Sequence, residues 1–113
     1  MTRDRLFILA APFEDGPGRM WFCAHCALIE GALQANPRWE EHVEVRRIGF
    51  PRPRAEAVAF LGEENQWLPL LTLADGRSDV AEAHVAGGHQ ILTDPIAITG
   101  YLARVHGGAA PHP

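Results

Sequence analysis

With 113 residues, the chain is long enough for one hydrophobic core but not for two, so a single domain is expected. Hydrophobic residues make up 47% and charged residues 21%, which excludes disorder as the default state. A formal charge of -4 offers no basic surface to a phosphate backbone, and this argues against nucleic acid as a partner.

All ten positive charges are arginines, so lysine Schiff-base and P-loop lysine chemistry are excluded as well. The apolar run Leu6 to Ala11 is too short for a signal-peptide core, and no stretch approaches the ~20 residues of a membrane span. A cytoplasmic location away from membranes is expected. In that reducing compartment two close cysteines point to catalysis or metal binding more readily than to a permanent disulfide.

In chain order, Arg5-Leu6-Phe7-Ile8-Leu9-Ala10-Ala11 has the pattern of a strand buried on both faces. The segment from Pro12 to Gly18 is rich in turn residues and aperiodic, and it predicts a long loop. From Ala24 to Asn36, Leu28, Ile29, Ala32 and Leu33 recur at helical spacing, and Pro37 supplies a stop. Val43 to Phe50 alternates and carries β-branched residues, predicting a strand parallel to the first across a right-handed crossover.

Arg54 to Leu61 predicts a short helix capped by Gly62, followed by a polar loop at Glu63-Glu64-Asn65-Gln66. Strand character resumes over Trp67 to Leu73, and Pro69 is tolerable there only at the strand's start or at an edge. Ala74-Asp75-Gly76 is a hairpin-type turn signal, residues 77–86 have no clear pattern, and Gly87-Gly88 precedes a short run over His89 to Leu92. Asp94 is a good N-cap with Pro95 behind it, and Ile98, Tyr101, Leu102 and Val105 form one apolar stripe ending at Gly107. The tail from Ala109 to Pro113 has too little apolar area to order itself unless it docks.

The chemistry gathers at Trp21-Phe22-Cys23-Ala24-His25-Cys26, where the two cysteines of the chain sit three apart at the mouth of the first helix. Two thiols at this spacing can close a small disulfide ring or grip a metal. The first N–H groups of a helix lack intrahelical partners and, with the macrodipole, favour an anion at that end. A thiolate at Cys23 profits from both effects, and a protonated His25 would add a second favourable charge, so Cys23 is expected to ionise more readily than a free thiol. A closed zinc site would need two more ligands, for which His25, His84 and His89 are the candidates. Trp21, Phe22 and Trp67 flank the motif segments, either as an apolar rim for a partner or as core.

The order β-α-β-α-β-β-α with a Cys-x-x-Cys at the first helix resembles the thioredoxin fold, in which a cis-proline opens the third strand. Pro69 in Leu68-Pro69-Leu70-Leu71-Thr72-Leu73 matches that element. The resemblance implies an α/β, thioredoxin-like domain over residues 1–108, with a central four-stranded mixed sheet flanked by helices, followed by a tail over residues 109–113. It implies a thiol-disulfide oxidoreductase in which Cys23 attacks a protein or small-molecule disulfide and Cys26 resolves the product. His25 would support the Cys23 thiolate, and Leu68 and Pro69, next to Trp67, would hold the substrate backbone.

The stretch around Cys23, together with Phe50-Pro51-Arg52-Pro53 and Gly62-Glu63-Glu64-Asn65-Gln66, is similar to a bacterial thioredoxin-like family catalogued as a domain of unknown function. The chain also resembles glutaredoxins and the N-terminal domain of glutathione transferases. In those proteins a polar pair between the last strand and the last helix holds the γ-glutamyl end of glutathione. Thr93 and Asp94 occupy that place, with Thr93 where the transferases usually carry an acid; helix capping alone also accounts for Asp94. Two other readings stay open: a noncatalytic module binding a peptide, glutathione or a partner protein in the same groove, and a small metal-binding protein. A homodimer through an exposed edge strand is compatible with any of them.

Overall fold

In the first strand, β1 (Asp4–Leu9), successive side chains turn to opposite faces of a sheet, as the two-residue period of a strand requires. Leu6 and Ile8 join one core cluster and Phe7 joins another, so β1 is buried on both faces, as its continuous apolar run predicts. The structure, a computed structural model, describes the chain except for residues 53, 63–65 and 79 and the side chain of residue 60. The polar loop expected at residues 63–65 therefore lies outside the described residues.

Among the described residues, β1 lies between β4 (Val43–Ile48) and β5 (Leu70–Thr72), and the sheet continues through β7 (His89–Leu92) to β6 (His84–Ala86) at its edge. β4 runs parallel to β1, with Asp4 opposite Val43, whereas β5 is antiparallel to β1 and β7 is antiparallel to β5. Helices α1 (Ala24–Ala35) and α3 (Pro95–His106) pack against each other. They deliver Ile29, Leu33, Ile98 and Leu102 to the cluster that holds Leu6 and Ile8. Helix α2 (Ala55–Leu61) sends Leu61 to the other cluster, with Phe7, Ile48, Leu70 and Ile91. The strand order and the two helical layers make an α/β fold with a mixed sheet, compatible with the thioredoxin-like class. No helix among the described residues is long and apolar enough to cross a membrane.

The sheet has one strand more than the four expected. β6 folds back on β7 through Gly87 and Gly88, both at positive φ, so the patternless stretch before Gly87 ends in an edge strand. The turn at Asp75 and Gly76 does not join β5 to its neighbour in the sheet, because β5 pairs with β7 and the chain first goes out to β6. The loop before Cys23 also contains structure: β2 (Phe13–Glu14) and β3 (Met20–Trp21) pair as a small hairpin. Two-residue strands carry no period, so the sequence shows only the glycines that let the chain return, Gly16 and Gly18, both at positive φ.

The far end of the sheet is tied together by Asp4, which is fully buried. Its carboxylate accepts hydrogen bonds from the Ala74 N–H at 2.7 Å and the Tyr101 hydroxyl at 2.8 Å, and lies 3.1 Å from His106 Nε2. Arg77 Nε completes the surroundings at 3.7 Å. A buried carboxylate is tolerable only when charge and hydrogen bonds replace its hydration, and here one carboxylate joins β1, α3 and the chain after β5. Nearby, Asn36 caps the end of α1 and holds the start of the tail: its side chain donates to the Ala109 carbonyl at 3.1 Å and accepts from the Ala109 N–H at 2.7 Å.

Tyr101→Phe removes one donor from the Asp4 carboxylate while leaving the ring in place. It is expected to lower stability by about 1.5–3 kcal/mol, the range for hydrogen bonds to charged groups, read as a lower urea midpoint at unchanged slope. An unchanged midpoint would show that the carboxylate does not depend on this donor.

Candidate functional site

Helix α1 begins where Cys23 leaves extended backbone, at φ -76 and ψ 113. Serine, threonine, aspartate and asparagine are the usual residues there, because a side-chain oxygen accepts a free N–H of the first turn. In this chain a sulfur takes the role: the Cys26 N–H donates to Cys23 Sγ at 3.1 Å. The first turn contains no acidic residue, so the partial positive charge of the helix end is left for the sulfur. Cys23 is partly exposed.

Cys26 has the opposite surroundings, although its sulfur lies only 2.6 Å from that of Cys23. The three-residue spacing turns it onto the inner face of α1, where it is 2% exposed and belongs to the core cluster. Burial pushes the Cys26 thiol up to about 12, reinforced by its hydrogen bond with Cys23 and by the negative charges of Cys23 and Glu30, against the opposing effect of the Leu9 N–H. Glu30, one turn further along the helix, stays ionised because Arg47 grips it with two hydrogen bonds of 2.8 Å, which lower its affinity for a proton. The pair is therefore asymmetric, with an accessible first sulfur and a second held as a neutral thiol within reach of it.

A cleft of about 370 Å³ opens beside both sulfurs, lined by Leu9, Ala11, Phe22, Ala27, Glu30 and Gln34. A larger cavity of about 500 Å³ lies by Asn36, Trp39, His42 and His106, at the other end of α1 and about 18 Å away by helix rise. That cavity holds no thiol, whereas both thiols line the smaller cleft.

Of the other residues expected at the site, Pro69 is buried and the Leu68–Pro69 peptide bond is cis. Leu68 packs against the same cluster as Cys23. Trp21, Trp67 and especially Phe22, 67% exposed, are on the surface and outside the core, and of the three only Phe22 lines the cleft; Leu28, expected on the apolar stripe of α1, is likewise exposed. His25 is exposed on the first turn, with no hydrogen bond to either sulfur among the described residues. Asp94 caps α3, accepting the Ala97 N–H at 2.9 Å, and neither it nor the half-buried Thr93 lines the cleft. His84 and His89 are on β6 and β7. No group of three or more His, Cys, Asp or Glu that could hold a metal occurs among the described residues.

Arg54 is a charged residue that the sequence pattern does not single out. It precedes α2, is 5% exposed, and donates from Nε to the Phe50 carbonyl at 3.0 Å and from Nη1 to the Gln66 carbonyl at 2.5 Å. Its guanidinium lies over the Phe50 ring at 5.3 Å, and that ring stacks on Phe13 at 4.5 Å. Burial and the charge of Arg52 pull the Arg54 pKa down, opposed by the attraction of Cys26 and Cys23. The only visible signal in the sequence is an arginine in a position where a helix-capping residue would be usual.

At pH about 8, where a free thiol is partly ionised, one molar equivalent of iodoacetamide is expected to modify Cys23 alone, and Cys26 only after unfolding. Because the folded state keeps the Cys26 proton that the unfolded chain loses above about pH 8.5, stability falls as pH rises from there towards 12. Peptide mapping of the adducts and urea midpoints at pH 7 and 10 check the two statements; equal labelling of both cysteines in the folded protein would contradict the asymmetry.

No curated protein and no solved structure matches the chain. The family described as "Protein of unknown function (DUF3088)" matches residues 3–110, which is nearly all of it, and the chain belongs to that family.

Proposed function

We propose that this protein is a thiol-disulfide oxidoreductase in which Cys23 is the nucleophile and Cys26 the resolving thiol. The observation that carries the reading is the Cys26 N–H directed at Cys23 Sγ, in a pair of which only the first sulfur is accessible. Exchange requires a stabilised attacking thiolate, an open path to it, and a second thiol within reach. All three requirements have a counterpart here.

In the forward direction the Cys23 thiolate attacks one sulfur of a substrate disulfide, RS–SR′. The Cys23–SR bond forms as the S–S bond breaks, and R′S⁻ leaves and takes up a proton. The Cys26 sulfur, having lost its proton to solvent, then attacks Cys23 Sγ and releases RS⁻. Two electrons have passed from the protein dithiol to the substrate, and an external thiol must return them for a second cycle. The first step itself prepares the second. Once Cys23 is a mixed disulfide, its negative charge and its part in the hydrogen bond no longer hold the Cys26 proton.

The exposed Trp21 and Phe22 directly before Cys23 favour a disulfide with apolar surroundings, as in a polypeptide. Glutathione enters this reading as a small thiol partner, with Thr93 and Asp94 as the groups for its γ-glutamyl end. His25, exposed one residue before Cys26, supplies a positive charge when protonated. An address in the cytoplasm suits a pair that works as a dithiol.

With oxidised glutathione as a small probe and dithiothreitol as reductant, Cys23→Ser is expected to reduce turnover to the uncatalysed rate. With oxidised glutathione and no dithiothreitol, Cys26→Ser is expected to stop at one mixed disulfide per chain, with a mass increase of one glutathione, because the attack survives and the resolution by Cys26 does not. Activity of Cys23→Ser equal to that of the parent protein would remove the proposal.

A further inference from the structure

We propose that the cleft beside the cysteine pair seats an extended segment of a polypeptide substrate, which runs from Cys23 along α1, past an open wall at Gly31, to Glu30 and Gln34. The inference rests on the reading of Cys23 as nucleophile and names the class of disulfide that it takes. Cys23, Cys26, Ala27, Glu30, Gly31 and Gln34 all line the cleft from α1, and steps of three and four residues set them in a row along one side of the helix. The row begins at the accessible sulfur, so the disulfide that Cys23 attacks lies at the mouth of the cleft. Neither Leu68 nor Pro69 is among the lining residues. The cleft is therefore a separate surface from the one those two residues offer.

Its length and its two ends suit a chain of amino acids. From Cys23 to Gln34 the helix rises about 16 Å, which about five residues of extended chain would span. The near end is apolar, with Leu9, Ala11 and Ala27 in the wall and Phe22, 67% exposed, beside the sulfurs. The far end is polar. Arg47 keeps Glu30 ionised by donating once to each carboxylate oxygen, and each oxygen retains capacity for a further donor. A neighbouring hollow shares Glu30 and Gln34 and adds Glu40, 3.9 Å from Arg47. Two carboxylates thus stand against one guanidinium, and the excess favours a basic over an acidic side chain at this end of the segment.

Gly31 joins the two ends. Glycine weakens the interior of a helix, and the usual structural reasons for it are missing here. Gly31 is not among the glycines at positive φ, and a Cβ built on it meets nothing within 4 Å among the described residues. The absent side chain serves no packing within the domain and keeps the cleft open between the sulfurs and the polar end.

The test uses peptides with one cysteine, carried as a mixed disulfide with thionitrobenzoate, and Cys26→Ser protein. Cys23 attacks the peptide sulfur, the new Cys23–peptide disulfide forms, and the coloured thionitrobenzoate thiolate leaves as the better leaving group. A cysteine extended by five residues on either side is compared with N-acetylcysteine amide in the same linkage. The extended peptide is expected to react about tenfold faster, from contacts remote from the sulfur. In Gly31→Leu, placed in the same background, the new side chain leans over Ala27 towards the cysteines, since side chains on a helix tilt to its N-terminus. This variant is expected to lose most of the ratio between extended and short substrates. Lysine at the outermost position is expected to exceed glutamate by about two- to fivefold, the range of an exposed ion pair, and Glu30→Gln to abolish that preference.

An extended peptide that reacts no faster than N-acetylcysteine amide overturns the inference without any further variant. A ratio retained in full by a folded Gly31→Leu overturns it as well, and equal rates for the lysine and glutamate peptides remove Glu30 as the far end and with it the path along α1. Release that depends on Cys23 but not on peptide length refutes only this inference, whereas release that survives Cys23→Ser refutes the oxidoreductase reading.

Discussion

The site depends on one hydrogen bond, from the Cys26 N–H to Cys23 Sγ. It makes a sulfur the cap of α1, and in doing so it fixes which cysteine faces solvent and which faces the core. A helix end must find acceptors for its free N–H groups, and an oxygen would meet that need without reactivity. With sulfur in the role, the same contact that starts the helix also sets a thiol at the positive end of the helix. Local structure and chemistry are therefore inseparable at this position. A substitution at Cys23 removes a reactive group and a cap together, which is why the serine variant, itself a good cap, isolates the chemistry.

The sheet supplies the rigid support. β1 reaches the cysteine pair at its C-terminal end, where the Leu9 N–H points at Cys26 Sγ at 3.5 Å. At its N-terminal end it carries Asp4, which gathers Tyr101, His106 and the Ala74 N–H. One six-residue strand thus joins the reactive sulfur pair to the polar anchor of α3. Asn36, at the opposite end of α1 from Cys23, fastens the chain after α3 to the same helix. Both ends of α1 are consequently fixed by side-chain contacts, which limits the freedom of the cysteine that caps it.

Much of this arrangement is legible in the residues themselves, for identifiable reasons. α3 begins and ends where Asp94, Pro95 and Gly107 place it, because capping and proline are local rules. The burial of Cys26 follows from its place three residues after the cap, on the stripe of Ile29 and Leu33. The cis bond before Pro69 agrees with the resemblance and was not deducible from local pattern. The hairpin of β2 and β3 and the edge strand β6 left no period to read, since elements of two or three residues are held by pairing and not by side-chain alternation. Arg54 was hidden for a different reason: it is held by Phe50 and Gln66, which meet it only once the chain has folded.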